Sequence, residues 1–396
     1  MSFPSCNAAG SSYNRTKFLS AVSPIYALTL LALCVFSGIV GCGLTNGRQH
    51  GLGAGINSGP SPTTPTTVPP GASTTAPASS AVDSNTNMVY VVSAGASQSG
   101  SNGAFYAISG ASNSVVSTLT GLPSPAAVDV NSATNTIYIA NAGNNTVSVV
   151  SGVSNVVSAT IPVGNYPSAL VVNPTTNTIY VDNFNDGTVS VINGATNSVT
   201  ATVSLSVNRI NLIAVDPTLN RIYVGSNQQY AQRIAVIEGT SNSVSGYLNL
   251  KGVPQALAAD PATHTLFVES NEPVLSGVAS TSQIDLFDET TVETSAEPVG
   301  AIAVPGFVNS RGLAVNSSAS LLYAGNNTSS AIDVLNLYTV TTAIPYSSSG
   351  STVDSLSIDA GTNTIYSVYS NSSNSNVGIQ VIDGNTNATT ANIQLQ

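Results

Sequence analysis

One unit recurs seven times in this chain, and this repeat limits the possible folds more than any other feature. Each copy places an Asp or Asn seven residues before a Tyr or Phe. The Asp and Asn positions are Asp83, Asn131, Asn173, Asp216, Asp260, Asn316 and Asp359. Their spacings are 48, 42, 43, 44, 56 and 43 residues. A period of this size is typical of propellers and solenoids.

Four short strand-like runs can be marked within one unit. In the third copy they span residues 169–172, 178–181, 188–192 and 198–203, and Asn, Gly, Asp and Pro separate them. Gly and Asn favour turns because they tolerate positive φ. Four antiparallel strands per repeat form the blade of a β-propeller. The sequence therefore predicts an all-β fold, a seven-bladed β-propeller of four-stranded antiparallel blades.

The start of the first blade indicates how the ring closes. A proline stands six residues before the Asp or Asn position at Pro77, Pro125, Pro167 and Pro254. Blade 1 therefore has its own inner strand, and blade 7 ends with an outer strand in residues 391–396. We predict seven whole blades over residues 77–396, with blade 7 packing against blade 1 to close the ring.

The repeated aromatic residue and the repeated Asp or Asn both have structural explanations. An aromatic side chain on the second strand of every blade fills the space between neighbouring sheets, where one ring buries about 150–250 Å². The Asp or Asn side chain caps the turn that follows the inner strand. Neither position is predicted to bind a ligand.

The repeat also resembles a known family. Residues 137–141 read Ile-Tyr-Ile-Ala-Asn and residues 179–183 read Ile-Tyr-Val-Asp-Asn; Thr-Val-Ser-Val follows each, with an Asn-rich turn. These segments resemble the YVTN repeat of bacterial and archaeal β-propellers. The resemblance implies a secreted or surface protein without an assigned reaction, and more distant relatives include lactonases and the propeller domain of nitrous oxide reductase. Blade 5, with its long spacing, and blade 6, with Ser320 in place of Asn, depart from the pattern.

The N-terminal region has the features of an export segment. Arg15 and Lys17 precede an uncharged run, residues 18–41, that ends in Ile-Val-Gly before Cys42. A basic region, an apolar region and a small residue in this order are typical of a secretory signal. The end of the run resembles the lipobox of bacterial lipoproteins. We therefore predict a signal peptide over 1–41 and an acylated Cys42; an uncleaved transmembrane anchor is the alternative.

Residues 42–76 form the predicted tether, rich in Gly, Ser, Thr and Pro, which cannot bury enough apolar surface to fold. The predicted location is the cell envelope, as a lipoprotein on the outer membrane or cell surface. With 8 Lys and Arg against 18 Asp and Glu, the chain lacks the basic clusters that nucleic acids require. We expect a monomer that binds no nucleic acid.

The side chains needed for most chemistry are scarce. The chain has two histidines, and His264 stands where other copies have a turn Asn, so it is predicted to be a turn residue. No Ser-His-Asp arrangement or nucleophile elbow is evident, and sites built from His and Cys are excluded. No cofactor and no metal are predicted. Residues 182–187 have a superficial calcium-loop pattern, but we interpret them as an ordinary hairpin turn.

Carboxylates are concentrated in blade 5. They are Glu269, Glu272, Asp285, Asp288, Glu289, Glu293 and Glu297. The prediction is a solvated, extended hairpin, with a cation or partner site as the alternative.

The axial mouth, where loops enter the inner strands, is the predicted ligand site. Five residues before the Asp or Asn position, blades 4 to 7 have Asn211, Gln255, Arg311 and Asp354. Loops of the same type carry Tyr166 and Arg209, which add an aromatic face and a cation. The competing interpretation is that inner-strand starts are wet in any propeller and need polar residues.

The predicted function is binding without catalysis. A rigid ring on a tether suits the presentation of a binding surface to a partner protein or an extracellular polysaccharide. One alternative is a lactonase-like or other hydrolase that uses Arg311, Asp354, Arg209 and a bound divalent cation. Another is a structural cell-surface protein whose uncharged surface favours lateral packing.

Overall fold

The structure is a computed structural model. It describes residues 77–94, 103–205, 209–228, 232–271, 282–291, 297–304, 312–336, 339–346, 351–371 and 377–395. All of them belong to one unit, Pro60–Gln396. The predicted signal segment, Cys42 and the tether lie outside the described residues, as does Arg311. Within the described ranges, no helix has the length and apolar character needed to cross a membrane.

The described residues form 28 β-strands. Blades 1 to 4 contain β1 (Pro77–Asp83), β2 (Met88–Ser93), β3 (Gly103–Ser109), β4 (Ser114–Leu122), β5 (Pro125–Asn131), β6 (Thr136–Asn141), β7 (Thr146–Ser151), β8 (Val157–Pro162), β9 (Pro167–Asn173), β10 (Thr178–Asn183), β11 (Thr188–Asn193), β12 (Ser198–Ser204), β13 (Leu212–Asp216), β14 (Arg221–Gly225), β15 (Arg233–Glu238) and β16 (Ser243–Asn249). Blades 5 to 7 contain β17 (Val253–Asp260), β18 (Thr265–Asn271), β19 (Ser282–Asp288), β20 (Gly300–Val304), β21 (Leu313–Asn316), β22 (Leu321–Asn326), β23 (Ala331–Asn336), β24 (Thr339–Pro345), β25 (Ser351–Asp359), β26 (Thr364–Asn371), β27 (Val377–Asp383) and β28 (Ala388–Gln394).

Each blade is one antiparallel sheet whose four strands follow chain order. The first strands of successive blades lie side by side, and β25 lies beside β1, so the ring is closed. The described part of the chain thus contains seven four-stranded sheets, which confirms the predicted seven-bladed β-propeller. In blade 3 the predicted strands agree with β9 to β12 to within two residues.

The hydrophobic core is divided among the seven junctions between blades. At each junction, one apolar cluster combines side chains of two neighbouring sheets. The repeated aromatic of the second strand is at most 1% exposed in every blade. These residues are Tyr90, Tyr138, Tyr180, Tyr223, Phe267, Tyr323 and Tyr366. Each lies in the cluster shared with the following blade, which confirms that the aromatic fills the space between sheets.

The turns after the inner strands explain the repeated Asp or Asn. The Oδ1 atom of Asn131 accepts a hydrogen bond from the Ala133 N–H at 3.0 Å, and Asn173 bonds the Thr175 N–H in the same way. The residue four positions after the Asp or Asn is left-handed, with φ of 49° at Asn135. His264 takes this conformation with φ 51°, which confirms its prediction as a turn residue.

Ring closure depends on packing between the first and last blades. Tyr366, Ile379 and Ile393 of blade 7 share one apolar cluster with Val89 and Ile108 of blade 1. Near the axis, hydroxyl groups of β1 and β25 are hydrogen-bonded to each other. The predicted closure of blade 7 on blade 1 is therefore present.

The acidic residues of blade 5 do not form the solvated hairpin that the sequence predicts. Glu269, Asp285 and Glu289 are at most 1% exposed. Glu272 and Glu293 lie outside the described residues, and Glu297 is exposed. The prediction was wrong for the three buried carboxylates, because Glu269 on β18 and Asp285 on β19 point into the protein, and Glu289 is buried directly after β19.

Candidate functional site

A cavity of about 450 Å³ lies at the axial mouth of the ring. Its lining includes residues from the inner strands of all seven blades, β1, β5, β9, β13, β17, β21 and β25. The loops that enter these strands therefore converge as predicted. The volume falls within the range of about 300–1,000 Å³ that is usual for small-ligand sites.

Four of the six residues predicted for this site line the cavity. They are Tyr166, Asn211, Gln255 and Asp354. Arg209 is exposed and does not line the cavity, and Arg311 lies outside the described residues. The alternative hydrolase site consists of Arg209, Arg311 and Asp354. Of its two described residues, Asp354 lines the cavity and Arg209 does not.

The rim of the mouth is held by left-handed residues at the entrance to the inner strands. Ser124, Tyr166 and Arg209 occupy equivalent positions, with φ of 48°, 59° and 56°. The Tyr166 carbonyl accepts a hydrogen bond from the Phe184 N–H at 3.0 Å, and the Arg209 carbonyl accepts one from Ser226 Oγ at 2.8 Å. These bonds tie Tyr166 and Arg209 to the residue that directly follows the second strand of their own blade.

Tyr166 supplies an aromatic surface at the rim. Its side chain is 43% exposed, and its ring lies 5.7 Å from the ring of Phe184, centre to centre. The Tyr166 N–H donates to Asn145 Oδ1 of the preceding blade at 2.9 Å. Tyr166 is therefore held by contacts to two blades while part of the residue stays exposed.

Amide and hydroxyl groups make up most of the polar lining. The Oδ1 atom of Asn211 accepts from the Asn227 N–H at 3.0 Å, and Gln255 Nε2 donates to the Val253 carbonyl at 3.2 Å, so both amides have a defined orientation. The sequence did not single out Ser79 and Ser355, which also line the cavity. Ser79 and Ser355 lie four residues before the Asp of their blade, whereas Asn211 and Gln255 lie five residues before it.

A buried carboxyl stands directly behind the wall of the cavity. Asp182 on β10 accepts hydrogen bonds from the backbone N–H groups of Ser168 and Ala169 and from Ser168 Oγ. Burial outweighs these donors and raises the pKa of Asp182 to about 7. The segment that follows is a hairpin turn, as predicted, in which the Gly187 N–H bonds the Asn183 carbonyl.

A second group of chemically active side chains lies at the opposite end of β13, between blades 4 and 5. The possible ligand atoms of Asp216, His264 and Glu289 all lie within 4.8 Å of one another, and this set could hold a metal ion. Burial raises the pKa of Glu289 to about 9, with Asp216 contributing. Burial also acts to raise the pKa of Asp216, but hydrogen bonds from Glu289, Thr218 and His264 outweigh it and lower that pKa.

The sequence did not bring these three residues together. The sequence predicts His264 to be a turn residue and Glu289 to lie in a solvated hairpin. The signal that could have found them is a double departure from the repeat, because blade 5 replaces the turn Asn by His264 and the Gly after the third strand by Glu289.

Comparison with known proteins identifies the fold. No protein-family model and no curated protein matches the chain. Among solved structures, it is similar to hydrazine synthase from Kuenenia stuttgartiensis, with a TM-score of 0.64 and 16% sequence identity. The similarity covers 78% of this chain and 95% of that chain. At this identity the match supports the fold alone: the chain is a seven-bladed β-propeller, and its resemblance to YVTN repeats stays a prediction.

Proposed function

We propose that the protein is an exported, lipid-anchored β-propeller that binds a partner protein or an extracellular polysaccharide at the axial mouth, without catalysis. The observation that carries this proposal is the cavity lined by Tyr166, Asn211 and Gln255. Side-chain amides and hydroxyls both donate and accept hydrogen bonds, which matches the hydroxyl groups of a sugar. The exposed ring of Tyr166 offers a surface for the apolar face of a sugar ring. Together with the carboxyl of Asp354 in the lining, these features favour a neutral polysaccharide over an anionic one.

The test is a titration of the full chain with a panel of neutral oligosaccharides, followed by calorimetry. Asn211→Ala and Gln255→Ala are each expected to weaken binding by on the order of 1 kcal/mol, about fivefold, since each removes one hydrogen-bonding group. Val153→Ser is the control, because Val153 is 86% exposed in the turn between β7 and β8. Unchanged affinity in a variant that combines Asn211→Ala with Gln255→Ala would exclude the mouth as the site. If a protein binds there and no glycan does, the polysaccharide version is wrong.

The anchor is tested separately from the ligand. Cys42→Ser is expected to abolish incorporation of labelled palmitate and to release the protein from the membrane, because the thiol is the proposed acylation point. The matched control is Cys34→Ser, which changes the cysteine that a bulky Leu33 precedes. Membrane retention of the Cys42→Ser protein at full precursor mass would instead support an uncleaved anchor.

A further inference from the structure

Neighbouring blades are linked by a recurrent contact at their inner turns. The Asp or Asn of one blade meets the left-handed turn residue of the next. Asn131 Nδ2 donates to Asn177 Oδ1 at 2.8 Å, and Asn173 Nδ2 donates to Asn220 Oδ1 at 2.7 Å. At these junctions the two side chains are uncharged amides that satisfy each other.

The turn residue also determines which residue follows the third strand. In blade 3 that residue is Gly194, whose N–H bonds the Asn177 carbonyl at 2.9 Å. A Cβ atom on Gly194 would collide with Asn177 Oδ1. The same collision applies to Gly239 and Asn220 in blade 4. An Asn at the turn therefore requires a Gly beneath it.

Blade 5 lacks both the Asn at the turn and the Gly after the third strand. His264 replaces the Asn, and Glu289 replaces the Gly while keeping the same backbone bond, from the Glu289 N–H to the His264 carbonyl at 2.9 Å. His264 Nδ1 lies 2.8 Å from Oδ2 of Asp216 in blade 4. The junction between blades 4 and 5 thus combines two carboxylates and an imidazole, where the junctions of blades 2 and 3, 3 and 4, and 6 and 7 each have a pair of amides.

Glu289 lacks the partners that a buried carboxylate needs. It is 0% exposed, and apart from the carboxyl of Asp216 neither of its carboxylate oxygens has a hydrogen-bond partner. The nearby cation does not reach it, since Arg221 pairs with Glu238 at 2.7 Å and donates to the backbone carbonyl of Glu289. Two buried carboxylates can face each other only when a proton or a cation lies between them.

We propose that Asp216, His264 and Glu289 bind a divalent metal ion such as Zn²⁺, and that this ion joins blade 4 to blade 5. One imidazole nitrogen and two carboxylates form a mixed ligand set that suits Zn²⁺ and its first-row neighbours, whereas Ca²⁺ takes oxygen ligands. The His264 side chain is 33% exposed, which leaves an approach for the ion and a position for water as a fourth ligand. The site is independent of the proposed function, because Asp216 ends the strand whose beginning faces the mouth.

The experiment titrates the full chain, stripped with a chelator, with ZnCl₂ by calorimetry and with CoCl₂ by visible absorption. The wild type is expected to bind one Zn²⁺ per chain, to give the absorption bands of four-coordinate Co²⁺, and to melt at a higher temperature with Zn²⁺. The double variant His264→Asn with Glu289→Gly gives blade 5 the turn Asn and the following Gly that blades 3 and 4 have, and leaves Asp216 unchanged. It is expected to fold and to show no saturable binding, since loss of outer-shell partners alone lowers metal affinity about 10–100-fold.

Two further variants keep the proposal open to refutation. Glu289→Gln preserves the side-chain volume and tests the ligand even if the double variant does not fold. His50→Asn removes the other histidine of the chain and is expected to bind Zn²⁺ as the wild type does. The absence of one-to-one binding in the wild type, or binding that survives Glu289→Gln unchanged, would mean that a shared proton alone satisfies the two carboxylates. Loss of binding in His50→Asn would place the ion elsewhere and overturn the proposal.

Discussion

At the scale of single residues, asparagine carries much of the fold. The left-handed conformation costs most L-residues roughly 1–2 kcal/mol, and Asn adopts it more readily than they do because its side chain bonds the local backbone. Asn occupies this conformation in the turns after the inner strand and again before the outer strand, as at Asn177 and Asn197. These turns supply polar surface without charge. They help explain why Asp, Glu, Lys and Arg make up 7% of the chain.

Asp182 leads to a prediction about pH. Its pKa is raised from 3.8 to about 7 in the folded protein, so the folded state holds a proton that the unfolded state releases. The corresponding stability is fully present below about pH 4 and is lost as the pH rises through about 7. Asp182→Asn is expected to remove a decline on the order of 4 kcal/mol in the free energy of unfolding between pH 4 and 8. Urea titrations at each pH measure it.

Asp129 provides the matched comparison for this measurement. Burial raises the pKa of Asp129 to about 6, although its carboxylate accepts hydrogen bonds from the Val130 and Val172 N–H groups. Asp129→Asn is therefore expected to remove a decline that ends about one pH unit lower. Parallel pH profiles for the wild type and Asp182→Asn would show that Asp182 is ionised in the folded protein throughout this range.

At the scale of strands and blades, local sequence determined most of what could be predicted. Each blade has an Asp or Asn, a turn and an aromatic in fixed order, so strand positions follow from a short stretch of sequence. Blade 6 shows how tolerant this rule is, because Ser320 replaces the turn Asn and still adopts a φ of 53°. The mouth residues Asn211, Gln255 and Asp354 were predictable because equivalent positions on the inner strands meet at one end of a ring.

The contacts between blades were not predictable in the same way. Glu289 resembles a solvated turn residue in the sequence, because Asp288 and Thr290 beside it are polar. Its burial depends on His264, 25 positions earlier in the chain, leaving the space that an Asn side chain fills in blades 3 and 4. It also depends on Asp216 from another blade. Pairings of this kind arise from the assembled ring and leave no periodic pattern in one segment.

At the scale of the whole molecule, the seven junctions are alike in packing but differ in connectivity. The residue before the end of the third strand packs against the preceding blade at every junction. Ile192 does so between blades 2 and 3, and Ile108 does so between blades 7 and 1. The chain passes directly from blade 2 to blade 3, whereas blades 7 and 1 are connected only through the rest of the ring. When blades 7 and 1 separate, the chain therefore gains more conformational entropy than when blades 2 and 3 separate.

This difference predicts unequal effects of equal substitutions. Ile108→Ala and Ile192→Ala each remove the same atoms from sites that are 0% exposed, and each is expected to cost about 2–5 kcal/mol. Only Ile108→Ala is expected to produce a partial opening in which the amides of β1–β4 and β25–β28 exchange with deuterium ahead of the other blades, because no covalent link holds that junction together. Hydrogen exchange followed by mass spectrometry measures this. Equal exchange in all blades of the Ile108→Ala protein would mean that the ring unfolds as one cooperative unit and that closure is no weaker than any other junction.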